Sequence, residues 1–260
     1  MNPSSRIFVA LDTHKMQAAV EATAPTGCAF KFGLRMIHGL GTPTALTHLL
    51  ELGATELFCD AKLHDIPNTV SDAVREIARQ RVEWTNVMCL GGAKMMAAAV
   101  EAANKVADST GHRTRILGVT ILTSHSFEDL VQLGILNDPQ LAITGPEAET
   151  YKQRLIEARV VTLALLAQEA GLDGVIASPR EAAAIRAHCG PDFEIVTPGI
   201  RSGNEPPDDQ KRTATAAEAI KNGATRLVIG RPILKALDPA AAAKQFMAEV
   251  EAALTTTQST

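Results

Sequence analysis

Apolar positions along the chain follow two alternating rhythms. Eight short runs, rich in β-branched or aromatic residues, each stop at a small or polar residue or at the edge of a turn. They are RIFVALD (6–12), AFKFG (29–33), LFCDAKL (57–63), WTNVMCL (84–90), RILGVTIL (115–122), GVIAS (174–178), EIVTPGI (194–200) and RLVIG (226–230). Between them lie Ala-rich stretches with helical spacing, such as TVSDAVREIARQ, AKMMAAAVEAANKVA, RLIEARVVTLALLAQEAG and SPREAAAIRAHCG, several closing near a Gly as a helix C-cap does. Eight strand–helix alternations in 260 residues predict an α/β fold, the (β/α)8 TIM barrel, with a doubly wound open sheet as the rival arrangement. No Pro/Gly/Ser linker or break in composition divides the chain. Residues 1–260 therefore read as a single domain, with 125–152 as the longest irregular insertion and 255–260 as a flexible Thr/Ser tail.

Composition narrows the chemistry more than the fold. With 46% hydrophobic and 21% charged residues the chain can bury a large core. Its net charge of -4 and sequence pI near 6.0 argue against a nucleic-acid or membrane-surface binder, because both rely on a broad excess of Lys and Arg. An anionic ligand must then be met by cations placed locally. Cys28, Cys59, Cys89 and Cys189 form no C-x-x-C pair and read as reduced packing residues. His14, His38, His48, His112, His125 and His188 show no metal-ligand spacing, and His64 suits a structural hydrogen bond, so no metal is expected. The apolar run 7–11 is too short for a signal-peptide core and no segment reaches the length of a membrane span, so a soluble cytoplasmic protein is expected.

In a barrel the reacting groups gather where strands end. Read that way, the chain offers Asp12, Lys31, Asp60 with Lys62, Thr123 with Ser124, Arg201 and Arg231. Strand alternation puts Asp60 and Lys62 on one face of LFCDAKL, toward the barrel interior, with Lys31 of the neighbouring strand beside them. Flanking carboxylates favour an ammonium over a free amine, which suits Lys62 to giving up a proton or steadying a carbanion rather than to nucleophilic attack. A salt bridge at the barrel rim would satisfy the same pattern. Asp65, in the following turn, either folds back onto Lys62 or reaches across an interface. A second group, VTPGIRSGNEPPDDQKR (196–212) with LVIGRPIL (227–234), has the make-up of a phosphate cradle: Gly199 and Gly230 for close backbone approach, Arg231 for a forked contact, and a polar loop, 202–210, long enough to act as a lid. An ordinary surface loop with an exposed arginine is the plainer alternative.

Taken together, VALD (9–12), FKFG (30–33), FCDAKLHDIPNTV (58–70), GVTILTS (118–124), GLDGVIAS (171–178), VTPGIR (196–201), DQKR (209–212) and VIGRPI (228–233) resemble the orotidine 5'-phosphate decarboxylase family over nearly the whole chain. The D-x-K-x-x-D-I-P-N-T run is the specific part of that match. The resemblance implies a decarboxylase without cofactor or metal, converting orotidine 5'-phosphate to UMP and CO2 as a homodimer that shares its active sites across the interface. By motif, Lys62 is the proton donor at pyrimidine C6, and Lys31, Asp60 and Lys62 form a charged network completed by Asp65 of the partner subunit. Asp12 and Lys31 hold the ribose side, touched also by Thr69 of the partner subunit. Thr123 and Ser124 meet the pyrimidine amide edge, and Arg201, Gln210, Gly230 and Arg231 hold the phosphate. Two other readings fit the same strand ends: a Mg²⁺-dependent phosphosugar barrel, such as a ketogulonate-phosphate decarboxylase or hexulose-phosphate synthase, and a non-catalytic nucleotide sensor.

Overall fold

Eight parallel strands close on themselves in chain order: β1 Ile7–Ala10, β2 Ala29–Gly33, β3 Leu57–Leu63, β4 Trp84–Met88, β5 Arg115–Val119, β6 Gly174–Ile176, β7 Glu194–Thr197 and β8 Arg226–Ile229, with β8 pairing back onto β1. The computed structural model describes residues 2–137, 146–202 and 212–257. The eight predicted runs are the eight strands, most of them one to three residues shorter at the C-terminal end, where the chain leaves the sheet for the site. The fold is thus the TIM barrel, and closure of β8 on β1 rules out the open sheet.

The helical stretches appear as Pro67–Arg79, Gly92–Thr110, Pro146–Glu169 and Ala182–Cys189, among others. Pro at the first turn of Pro67–Arg79 suits a position whose N–H has no intrahelical partner, and Gly111, at φ 69°, ends Gly92–Thr110 in the left-handed conformation that glycine tolerates. Two expectations change. The insertion expected to be irregular contains a helix, Phe127–Gln132, because Ser126 and Asp129 form a reciprocal capping box that the sequence carries as S-x-x-D. The last helix runs Pro239–Thr257, three residues into the stretch expected as a tail. Among the described residues no helix is long and apolar enough to cross a membrane.

Three apolar clusters follow from strand alternation. Two lie between the sheet and its surrounding helices, one around β1, β2 and β8 and the other around β4, β5 and β6. The third fills the barrel interior with Phe8, Ala10, Ala29, Phe58, Trp84, Leu117, Val196 and Val228. Phe8 packs on Phe58 and Trp84 at ring-centroid distances of 5.3 and 5.9 Å. Arg226 lies 4.6 Å from the Trp84 ring and pairs with Glu56 at 2.9 Å, while Trp84 Nε1 donates to the same carboxylate at 2.7 Å. This aromatic and ionic layer closes the N-terminal end of the barrel and leaves the C-terminal end for polar side chains. On the closing side of the sheet, β6 meets β7 at Gly174, where a Cβ would fall 2.2 Å from the Glu194 carbonyl oxygen, so only glycine fits.

The layer makes the lower barrel a stability element. Trp84→Ala should lower the unfolding free energy by about 3–5 kcal/mol through loss of burial and the cavity left behind, read as a lower urea midpoint at unchanged slope. A loss below about 1 kcal/mol would show that the layer is not the anchor of the barrel.

Candidate active site

One layer above the aromatic residues, the same inward-facing positions become polar. Lys31 follows Ala29 on β2, Asp60 follows Phe58 on β3, and Asn86 follows Trp84 on β4. All three are buried. Lys31 Nζ donates to Asp60 Oδ2 at 2.8 Å and Lys62 Nζ to Asp60 Oδ1 at 2.6 Å, so one carboxylate is shared between two ammonium groups. Asp12, largely exposed, lies 3.7 Å from Lys31 Nζ and extends the row toward solvent.

Asn86 is the member of this group that the sequence did not disclose. It donates from Nδ2 to Asp60 Oδ1 at 2.7 Å and accepts the backbone N–H of Lys62 on Oδ1 at 2.7 Å. The only signal was one amide in the run WTNVM, which reads as easily as packing. Its backbone contact matters because Lys62 has left the regular strand. The β3–β4 register shifts between Cys59 and Leu63, and Lys62 sits at φ 49°, a conformation that non-glycine residues adopt at a cost. The predicted meeting of Asp60 and Lys62 therefore occurs, but through a bulge clamped by Asn86 rather than through plain alternation.

The charges account for one another. Burial alone would raise the Asp60 carboxyl, but Lys31 and Lys62 more than reverse this and hold it well below the usual carboxylate range. Burial likewise works against the Lys31 ammonium. Asp60 first, then Asp12, outweigh it and leave the lysine above its ordinary value. By contrast, burial pushes the thiols of Cys59 and Cys89 up to about 12, which removes them as nucleophiles at neutral pH.

The row forms one wall of a cavity of about 540 Å³ at the C-terminal end of the barrel, lined by Asp12, Lys31, Asp60, Lys62, Thr123, Arg201, Gly230 and Arg231 together with apolar Phe58, Val119, Ile121 and Ile176. Four cationic side chains face two carboxylates there, a local reversal of the chain's net charge of -4. Gly199, at φ 81°, and Gly230, which precedes the short helix Arg231–Leu234, bring backbone to the opposite wall. Ser124 is exposed and does not line the cavity. Asp65 and Thr69 are exposed outside the cavity of their own chain, with Asp65 Oδ1 accepting the N–H of Ile66 at 2.6 Å. Gln210, with residues 203–211 of the expected lid, lies outside the described residues. Among the described residues no cluster of three or more His, Cys, Asp or Glu is placed to hold a metal ion.

Asp60→Asn should change how stability responds to pH. In the native chain the raised Lys31 value means that its stabilising contribution is present below the ordinary lysine pKa and is lost as pH rises through the folded value. Without the Asp60 charge, only the largely exposed Asp12, 3.7 Å away, opposes the burial that works against the Lys31 ammonium. The variant is then penalised at neutral pH and relieved as the amine loses its proton. The stability gap between native and variant should narrow steadily from pH 7 toward about pH 10, measured by urea unfolding; a gap that stays constant would show that Lys31 does not depend on Asp60.

The model of the Orotidine 5'-phosphate decarboxylase / HUMPS family matches residues 5–246. Orotidine 5'-phosphate decarboxylase of Moorella thermoacetica is 42% identical over 255 residues, covering 96% of this chain and 94% of that protein. The enzyme of the same name from Nitrosomonas eutropha is 42% identical over 253 residues, covering 96% and 99%. The crystal structure of orotidine 5'-phosphate decarboxylase from Lactobacillus acidophilus superposes with a TM-score of 0.74 at 31% identity, covering 95% of this chain and 99% of that one.

Proposed function

The chain is a carboxy-lyase belonging to the Orotidine 5'-phosphate decarboxylase / HUMPS family, and we propose that it converts orotidine 5'-phosphate to UMP and CO2, the UMP-forming step of pyrimidine synthesis. The observation that carries the reading is the pair of ammonium groups on the buried Asp60 carboxylate, 2.8 and 2.6 Å away, at the wall of a cavity whose rim holds Arg201 and Arg231.

In this reaction the bond from C6 to the carboxyl carbon breaks and its electron pair stays on C6. That lone pair lies in the plane of the ring and cannot spread into the π system, so the barrier is high unless positive charge is already in place. Lys62 supplies it. Its position is fixed before reaction by Asp60 and, through the backbone, by Asn86, so no reorganisation is needed as charge develops. The ammonium then transfers a proton to C6, giving UMP, and the neutral amine recovers a proton from solvent. Lys31 keeps Asp60 ionised and compensated beside the departing carboxyl group, and with Asp12 meets the ribose hydroxyls.

Recognition is divided around the barrel. Thr123 and Ser124 address the amide edge of the pyrimidine, while Arg201, Gln210, Gly230 and Arg231 hold the phosphate. The phosphate is remote from C6, so its binding free energy serves to order the site, and a substrate lacking it should lose turnover as well as affinity. Asp65 and Thr69, exposed on their own chain, act in the site of the second subunit of a homodimer, where Asp65 completes the charged row. The protein works without metal or organic cofactor.

Incubating the protein with orotidine 5'-phosphate in metal-free buffer should consume the substrate absorbance and yield UMP. Binding of UMP without turnover would mark a sensor, and activity abolished by EDTA would mark the Mg²⁺-dependent phosphosugar branch. Lys62→Ala should fold normally and lose more than about 10⁴-fold in kcat; substantial residual turnover would remove Lys62 as proton donor. Arg231→Ala should act chiefly on KM, raising it by about 10²-fold or more as expected for a charge-assisted phosphate contact, and an unchanged KM would place the phosphate elsewhere.

A further inference from the structure

Arg212 reaches the barrel rim from the stretch after β7, whose base is closed by the Arg201 N–H to Ala214 O bond at 3.0 Å and the Ala214 N–H to Gly199 O bond at 3.3 Å. Its guanidinium is buried and pairs through Nη1 with Oε1 of the fully buried Glu181 at 2.9 Å. From Nη2 it donates to the carbonyl oxygens of Leu122 at 3.0 Å and Ile121 at 3.5 Å. Glu181 precedes the helix Ala182–Cys189 that follows β6, and its Oε1 also accepts from Gln153 Nε2 at 3.1 Å. One guanidinium therefore joins the segments that follow β5, β6 and β7, on the face of the barrel that holds the site.

Stability is a weak reason for such an arrangement. A buried ion pair gains little over apolar residues of the same volume, and this pair is incompletely served: Arg212 Nε and Glu181 Oε2 have no partner among the described residues. What it does supply is orientation. β5 stops at Val119, so no sheet ladder holds the carbonyls of Ile121 and Leu122, although both residues and the following Thr123 line the cavity. Besides Arg212, the Leu122 carbonyl accepts the N–H of His125 at 3.0 Å, within the same turn.

We propose that Arg212 is a positioning residue: through the carbonyls of Ile121 and Leu122 it fixes the cavity wall that presents Thr123 to the pyrimidine. Arg212 itself does not line the cavity. Recognition of the base then depends on a side chain that never touches it. The inference rests on the reading of Thr123 given above.

Removing Arg212 alone would strand Glu181 in the interior and endanger folding. The test therefore compares the paired apolar variant E181L/R212M, the charge-retaining variant R212K, and each combined with T123V, by Tm and by kcat and KM for orotidine 5'-phosphate. E181L/R212M should melt within about 5 °C of the native protein yet lose about tenfold or more in kcat/KM; R212K should lose activity in the same direction and carries the comparison if the paired variant does not fold. T123V should cost less in either background than in the native chain, because the wall that presents Thr123 is already misplaced. Native kcat/KM in the folded variants, or a T123V penalty equal in all backgrounds, would overturn the inference and leave the decarboxylase reading standing. A T123V change without effect in the native chain would remove the Thr123 assignment and the inference with it, while absence of UMP formation by the native protein would overturn the functional reading itself.

Discussion

A carboxylate with about a twentieth of its surface exposed cannot stand alone, and the upper barrel is arranged around that fact. Asp60 takes one ammonium on each oxygen and an amide on one of them. Each partner comes from a different place: Lys31 from β2, Asn86 from β4, and Lys62 from beyond the bulge in β3 itself. Removing any one of them leaves the others misplaced or uncompensated, so the group behaves as a unit and single substitutions will not partition its energy. The same interdependence holds Lys62 in one place through its contacts with Asp60 and Asn86, as the proposed reaction requires.

Below that layer the barrel is dry and aromatic. Phe8, Phe58 and Trp84 fill the interior and Arg226 with Glu56 closes it, which keeps water from reaching the charged row from the N-terminal side. Electrostatic interactions above it are correspondingly less screened than at an open surface. Along a single strand, therefore, the apolar core and the charged row are separated by two residues: Phe58 belongs to the first and Asp60 to the second.

The alternation of strand and helix made the barrel legible from the chain alone, because eight apolar runs with polar ends fit few other arrangements. Asp60 and Lys62 were legible for a related reason, being charges in a strand otherwise too apolar to carry them. Local sequence does not mark the roles of residues whose partners lie far along the chain. Asn86 is one uncharged amide in an apolar run, and nothing local announces that it faces Asp60 26 residues earlier. Arg212 is one arginine in a polar stretch, and Glu181, Ile121 and Leu122 meet it only after three strand ends converge. The helix Phe127–Gln132 is a different matter. Its S-x-x-D cap is present in the sequence, but the polar residues around it carry the composition of a loop. Asp65 and Thr69 lie outside the cavity of their own chain, so no feature of the single chain accounts for them.

The left-handed backbone at Lys62 sets local backbone strain against the role proposed for its side chain. Glycine would occupy that conformation with less backbone strain than any side chain, but it would take one of the two ammonium groups from the buried Asp60 carboxylate. Keeping a lysine there means the chain tolerates a local penalty that its surroundings absorb. Exchanging it for glycine would, on the proposed mechanism, relax the backbone and remove the proton donor in one step.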